Sequence, residues 1–138
     1  MSPEGACYLF GGYLPSLRNF LSNTFILDEH RSTLVALQPM KTGRADHALH
    51  IEGDLIYVLG GMTFRENGGQ ETGQLMSLNS CEVYSTSKDE WSEMTPFEHS
   101  RQQFSVCQFN EKFIFIFGGK LLKSGRANID TIQPFSFV

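Results

Sequence analysis

The stretch "HALHIEGDLIYVLGG" runs from His47 to Gly61 and decides the fold. It reads as a strand, a polar turn, a second apolar strand, and then two glycines. The turn Glu52–Gly53–Asp54 is tight enough for a hairpin. The same order returns in "SVCQFNEKFIFIFGG", Ser105–Gly119, which lies over the first stretch without a gap when Gly118–Gly119 is placed on Gly60–Gly61. A third apolar run, "CYLFGGY" at Cys7–Tyr13, ends on Gly11–Gly12. The doublets stand 49 and 58 residues apart, so they mark an internal repeat.

The segment after each doublet repeats as well. "ILDEHRSTLVALQPM" (Ile26–Met40) lies over "VYSTSKDEWSEMTPF" (Val83–Phe97), with Leu27 on Tyr84, Leu34 on Trp91 and Pro39 on Pro96. Each copy reads as strand, polar turn, strand and a Pro-containing exit. No helical pattern competes, since the one long candidate, Gln70–Asn79, contains Gly73 and the weak helix formers Ser77 and Asn79.

The expected unit is therefore four antiparallel strands, and the expected class is all-β. Strand a covers Ala45–Ile51 and Gln103–Phe109. Strand b covers Ala6–Phe10, Leu55–Leu59 and Phe113–Phe117. Strand c covers Phe25–Leu27, Glu82–Tyr84 and Thr131–Phe137, and strand d covers Leu34–Leu37 and Trp91–Met94. Strand b is apolar on both faces and calls for cover on both sides. Strand d is mixed and suits an outer position. Such sheets must stack, and their repetition around an axis is a propeller.

Composition excludes several classes. The chain has 138 residues and a formal net charge of −4, which does not suggest a nucleic-acid binder. The apolar runs fall far short of the roughly 20 residues needed to span a membrane as a helix. "MSPEGACYLFGG" has neither a basic leader nor a long apolar segment, so no signal peptide is expected. Cys7, Cys81 and Cys107 form no CxxC pair, fit a reduced cytoplasmic compartment, and read as small buried side chains.

On these marks the sequence resembles the kelch-repeat family: an apolar strand ending in a Gly doublet, then a Tyr, then a Trp several residues later. The central copy carries all of them as Gly60–Gly61, Tyr84 and Trp91, and Arg101 stands just before strand a of the third copy, as the resemblance implies. The first copy departs, with Leu27 and Leu34 at the Tyr and Trp positions. The order b-c-d, a-b-c-d, a-b-c gives about two and a half blades: a partial blade at 1–40, a full one at 41–97 and a partial one at 98–138. Propellers typically have 4–8 blades, so further blades from a longer chain are expected.

Antiparallel order puts the b–c loops and d–a links on one face, and the a–b and c–d turns on the other. The first group holds eight basic residues, Arg18, Lys41, Arg44, Arg65, Arg101, Lys120, Lys123 and Arg126, against three acidic ones, Glu66, Glu71 and Glu98. A basic face on an acidic chain would steer an acidic protein or peptide. Arg44 and Arg101 sit one residue apart when the doublets are aligned, and both are expected near the axis, gripping carboxylates or phosphates. In the kelch proteins that the chain resembles, this face often recognises a partner peptide. The long loop Met62–Asn79 is a second candidate for function, with Gly68–Gly69 as its flexible part.

Catalytic signals are missing. His47 and His50 are three apart on a strand, point to opposite faces and cannot jointly hold a metal there. No HExxH, GxSxG or Walker sequence occurs. The doublets lack GxGxxG spacing, so no cofactor is expected. Asp28–Glu29 and Asp89–Glu90 read as solvated charge in c–d turns, and Tyr84 and Trp91 as core. The expected function is a non-enzymatic interaction module or scaffold. The alternative is a fragment of a propeller enzyme of the galactose-oxidase-like or sialic-acid-processing kind.

Overall fold

The computed structural model describes residues 5–67, 70–110, 113–123, 125–128 and 132–136. In chain order the strands are β1 (Tyr8–Phe10), β2 (Tyr13–Leu14), β3 (Asn19–Phe20), β4 (Thr24–Asp28), β5 (Thr33–Leu37), β6 (Ala48–Glu52), β7 (Leu55–Leu59) and β8 (Met62–Asn67). They continue as β9 (Gln70–Ser77), β10 (Cys81–Ser85), β11 (Glu90–Met94), β12 (Ser105–Phe109), β13 (Phe113–Phe117), β14 (Lys120–Lys123), β15 (Gly125–Asn128) and β16 (Ile132–Ser136). No helix occurs among the described residues, so none there is long and apolar enough to cross a membrane.

Three larger sheets carry the repeat. Their orders are β1-β4-β5, β11-β10-β7-β6 and β12-β13-β16, all antiparallel, which is b-c-d, d-c-b-a and a-b-c. The sheets form part of a propeller and close no ring. Leu27 faces Leu34 in the first sheet as Tyr84 faces Trp91 in the second. The expected strands are present: Leu55–Leu59 and Phe113–Phe117 keep their bounds, and the others shift at one or both ends by up to three residues. Thr131 and Phe137, at the ends of the expected third strand c, lie outside the described residues.

The gapless overlay of the two a–b units is corrected by the register. Ala48 pairs with Leu59, whereas Ser105 pairs with Phe117. With the doublets superposed, strand a is therefore displaced by one residue, and the a–b turn of the third sheet is one residue longer. Arg44 and Arg101 then fall at the same blade position: Ala45, after Arg44, bridges Met62, and Gln102, after Arg101, bridges Lys120.

Strand β7 shows why strand b is apolar throughout. Ile56 and Val58 join Phe10, Met40 and Tyr84 in one core, which faces the first sheet. Tyr57 and Leu59 join Cys81, Phe97, Ile114 and Ile116 in another, which faces the third. One strand with period-2 side chains thus fills two inter-sheet layers. Trp91 closes the first layer: its ring meets Phe10 edge-on at 5.6 Å and lies 5.0 Å from Tyr84.

The cysteine expectation holds for Cys81 alone. Cys7 and Cys107 are exposed. Cys107 alternates with Val106, which packs into the core, so it points to the other face of β12, where no sheet covers it among the described residues.

Candidate partner-binding face

The b–c connections are not open loops. Each forms a two-stranded hairpin, β2–β3, β8–β9 and β14–β15. The segment Met62–Asn79, expected as a long loop, is ordered as the β8–β9 ladder with an irregularity between Phe64 and Glu66. Gly68–Gly69 lies outside the described residues. Phe64 helps to explain the order, because it is buried against Phe20 and Tyr13 of the neighbouring hairpin.

The three hairpins stand side by side. Phe20 of β3 meets Phe64 of β8 with ring centroids 5.0 Å apart, and Tyr13 lies 4.8 Å from Phe20. Between the second and third hairpins, Leu122 N donates to Ser77 Oγ at 2.8 Å. The outcome is a continuous crown on the face opposite the c–d turns. It leaves apolar side chains in solvent: Leu17 is 70% exposed, Tyr13 42% and Leu75 42%.

The d–a link from the first sheet to the second is held from within. Arg44 is fully buried, at 0% exposure. Its Nη1 donates to the carbonyls of Gly60 and Ser80 at 2.9 Å each, and its Nη2 donates to Ser80 Oγ at 3.1 Å and Glu82 Oε1 at 2.6 Å. Glu82 also accepts from Lys41 N at 2.8 Å and Thr42 N at 3.2 Å. Burial pushes the Arg44 pKa down, and the Glu82 carboxylate opposes that shift.

The same device recurs at Arg101, also 0% exposed, whose Nη1 donates to Gly118 O at 3.0 Å. Burial again lowers its pKa. The backbones of these arginines complete the repeat. Gly12 N donates to Arg44 O at 2.8 Å, and Gly61 N donates to Arg101 O at 2.9 Å. Each arginine therefore binds its own sheet's doublet through the side chain and the preceding sheet's doublet through the carbonyl.

This arrangement corrects the expected site. Arg44 and Arg101 lie inside the fold at 0% exposure, Arg44 bound to backbone carbonyls, Ser80 Oγ and Glu82 and Arg101 to the Gly118 carbonyl, so neither presents its guanidinium at the surface. Arg18, Lys41, Arg65 and Lys120 are exposed on the crown face. Lys123 and Arg126 fall on β14 and β15, and their side chains lie outside the described residues.

The glycine doublets are explained by a close neighbour, the backbone entering strand a. At Gly61, with φ +99°, a Cβ would come within 2.6 Å of Ala45 O, and at Gly60 within 2.8 Å of Arg101 O. Only glycine fits there.

Several organising residues carried no legible signal in the sequence. Asp46 and Gln103 both adopt positive φ, at 54° and 53°. They clasp adjacent sheets, with Gln103 N on Asp46 O at 3.0 Å and Gln103 Nε2 on Asp46 Oδ2 at 2.7 Å. Asp89 is not merely solvated charge: its Oδ1 accepts from Tyr84 Oη at 2.7 Å and from Gln38 N at 3.0 Å. Trp91 Nε1 donates to Gln38 O at 2.7 Å. The paired motif residues thus tie the second sheet to the end of the first. His47 is mostly enclosed, and burial, aided by the Arg44 charge, lowers its pKa to about 4. Among the described residues, no group of three metal-ligating side chains converges.

Residues 43–98 match the family model described as Kelch motif. The chain is 25% identical over 112 residues to Kelch-like protein 36 of Bos taurus, covering 81% of this chain and 17% of that protein. It is 28% identical over 115 residues to Kelch repeat and BTB domain-containing protein 12 of Homo sapiens, covering 81% of this chain and 18% of that protein. The chain thus spans less than a fifth of either relative. The matched motif contains the four-stranded sheet, its doublet and the Arg44–Glu82 pair; residues 43–98 are a kelch motif, and the chain is similar to kelch-repeat proteins.

Proposed function

We propose that the chain is a non-enzymatic interaction module of a cytoplasmic protein, which engages a partner protein through the crown of hairpins and the adjoining d–a links. The observation that carries this reading is the crown itself. Three side-by-side hairpins hold Tyr13, Leu17 and Leu75 in solvent beside the exposed cations Arg18, Arg65 and Lys120. Apolar groups ringed by charge mark a protein-docking surface. With Arg44 and Arg101 taken up internally, the exposed cations among the described residues of this face lie on the hairpins and, as Lys41, on the adjoining link, so attraction to an acidic segment acts at the crown and not at the axis.

An array of peptides graded from strongly acidic to strongly basic tests this reading. The chain should retain acidic peptides. The variant Arg18→Glu/Arg65→Glu/Lys120→Glu should lose them, while Lys88→Glu, in a c–d turn of the opposite face, should not. Equal retention by the two variants would refute the assignment of the face.

A further inference from the structure

A slot of about 470 Å³ opens between the first and second hairpins, where the d–a link passes below them. Its apolar lining comes from Phe20, Phe64 and Met76, and its polar lining from Lys41, Thr42 and Thr63. Gly43 makes the slot possible. A Cβ on Gly43 would overlap the Phe20 carbonyl, so the link can lie against β3 only because this residue has no side chain. The volume is in the range of sites that enclose a ligand group.

We propose that this slot receives one aromatic or long apolar side chain of a linear partner segment, with a carboxylate of the same segment beside it. The proposal rests on the loop-face reading above and names its anchor. Three features of the slot argue for this occupant.

The first is the aromatic pair. Phe20 and Phe64 meet at 69° with centroids 5.0 Å apart, and Tyr13 extends them towards solvent at 4.8 Å from Phe20. An incoming ring gains edge-to-face contacts there beyond simple burial. The second is Met76, which faces Thr63 directly across the hairpin. An unbranched thioether adapts its shape to whatever enters.

The third is charge. Lys41 lines the slot and pairs with Glu93 at 2.8 Å, but the two side chains are 67% and 65% exposed. An ion pair so exposed contributes little and exchanges readily. A partner carboxylate can take Lys41 over, while a partner cation would meet no carboxylate among the described residues lining the slot. A single apolar side chain next to an acid, presented by an extended segment, satisfies all three features. A second copy of this chain is the competing occupant.

Fluorescence polarisation on the 138-residue chain decides it. The probes are a fluorescein-labelled Glu-Asp-Phe-Gly-Glu-Asp peptide and its counterpart with alanine for phenylalanine. The phenylalanine peptide should bind about tenfold more tightly or better, as buried aromatic anchors do. Thr63→Trp, which plugs the slot, should erase that advantage without changing the alanine peptide. Met76→Trp plugs it from the facing strand, should Thr63→Trp lower the melting temperature. Lys41→Gln should weaken both peptides by a similar factor.

Equal binding of the two peptides would overturn the slot while leaving the loop face intact. So would an advantage that survives the plug in a variant with unchanged melting. Loss of a dimer on plugging, read by sedimentation, would overturn it in favour of a second copy. Failure of every acidic peptide to bind would instead overturn the loop-face reading with it.

Discussion

Arg44 Nη2 and Glu82 Oε1 lie 2.6 Å apart, with side chains 0% and 3% exposed, at the point where the chain leaves the first sheet for the second. The pair does more than neutralise itself. Glu82 also receives the amides of Lys41 and Thr42, and Arg44 also reaches the carbonyls of Gly60 and Ser80. A connection that would otherwise be a loop is thereby fixed from inside.

Removing one partner of such a pair leaves an uncompensated buried charge. Glu82→Ala and Arg44→Ala should each destabilise the chain by roughly 3–5 kcal/mol in urea denaturation. The double variant should cost clearly less than the two losses combined, because it leaves neither charge unpaired. Additive losses would show that the two side chains act independently.

The doublet positions separate steric cost from backbone strain. Gly61 and Gly12 both have positive φ, at +99° and +113°, but a Cβ meets Ala45 O at Gly61 and nothing within 4 Å at Gly12. Gly12→Ala should show backbone strain alone, about 1–3 kcal/mol. Gly61→Ala should cost measurably more by thermal melting. Equal costs would mean that the close approach to strand a is not what selects glycine at Gly61.

His47 gives the fold a pH dependence. Its pKa falls from 6.5 unfolded to about 4 folded, first through burial, then through Arg44, against an opposing pull from Asp46. A depressed folded pKa means that the unfolded chain takes up the proton first. The His47 contribution is complete above pH 6.5 and is lost as the pH falls through 4, amounting to about 3 kcal/mol across that window. His50, whose pKa burial also lowers, adds loss of the same sign. His47→Phe places at this point the residue type that Phe104 supplies in the third sheet, and should flatten the stability curve between pH 4 and 6.5. An unchanged slope in denaturation against pH would contradict the assignment.

The strands of the blades were legible because burial on two faces leaves a clear trace. A run such as Leu55–Leu59 is hard to place anywhere but in a doubly covered strand once it recurs before each doublet. The core role of Tyr84 and Trp91 was legible by another route, as marks of the repeat that the chain resembles. The a–b register was not, because the extra residue in the third turn is polar like its neighbours and leaves the apolar pattern intact. The basic residues of the loop face were countable, but their burial was not. Arg44 and Arg18 look alike in sequence, and the groups that receive Arg44, the carbonyls of Gly60 and Ser80 and the carboxylate of Glu82, are distant along the chain. The hairpins were hidden too: β2 and β3 have two residues each and take their stability from neighbouring hairpins rather than from their own pattern.

The central claim is that partners meet the crown. Hydrogen–deuterium exchange, with and without the tightest binder from the charge-graded array, tests it most directly. Slowed exchange should be confined to the hairpins at 13–20, 62–77 and 120–123 and the link at 38–45. The c–d turns at 29–32 and 86–89 should be unchanged. Slowed exchange at those turns, with the hairpins unaffected, would contradict the account.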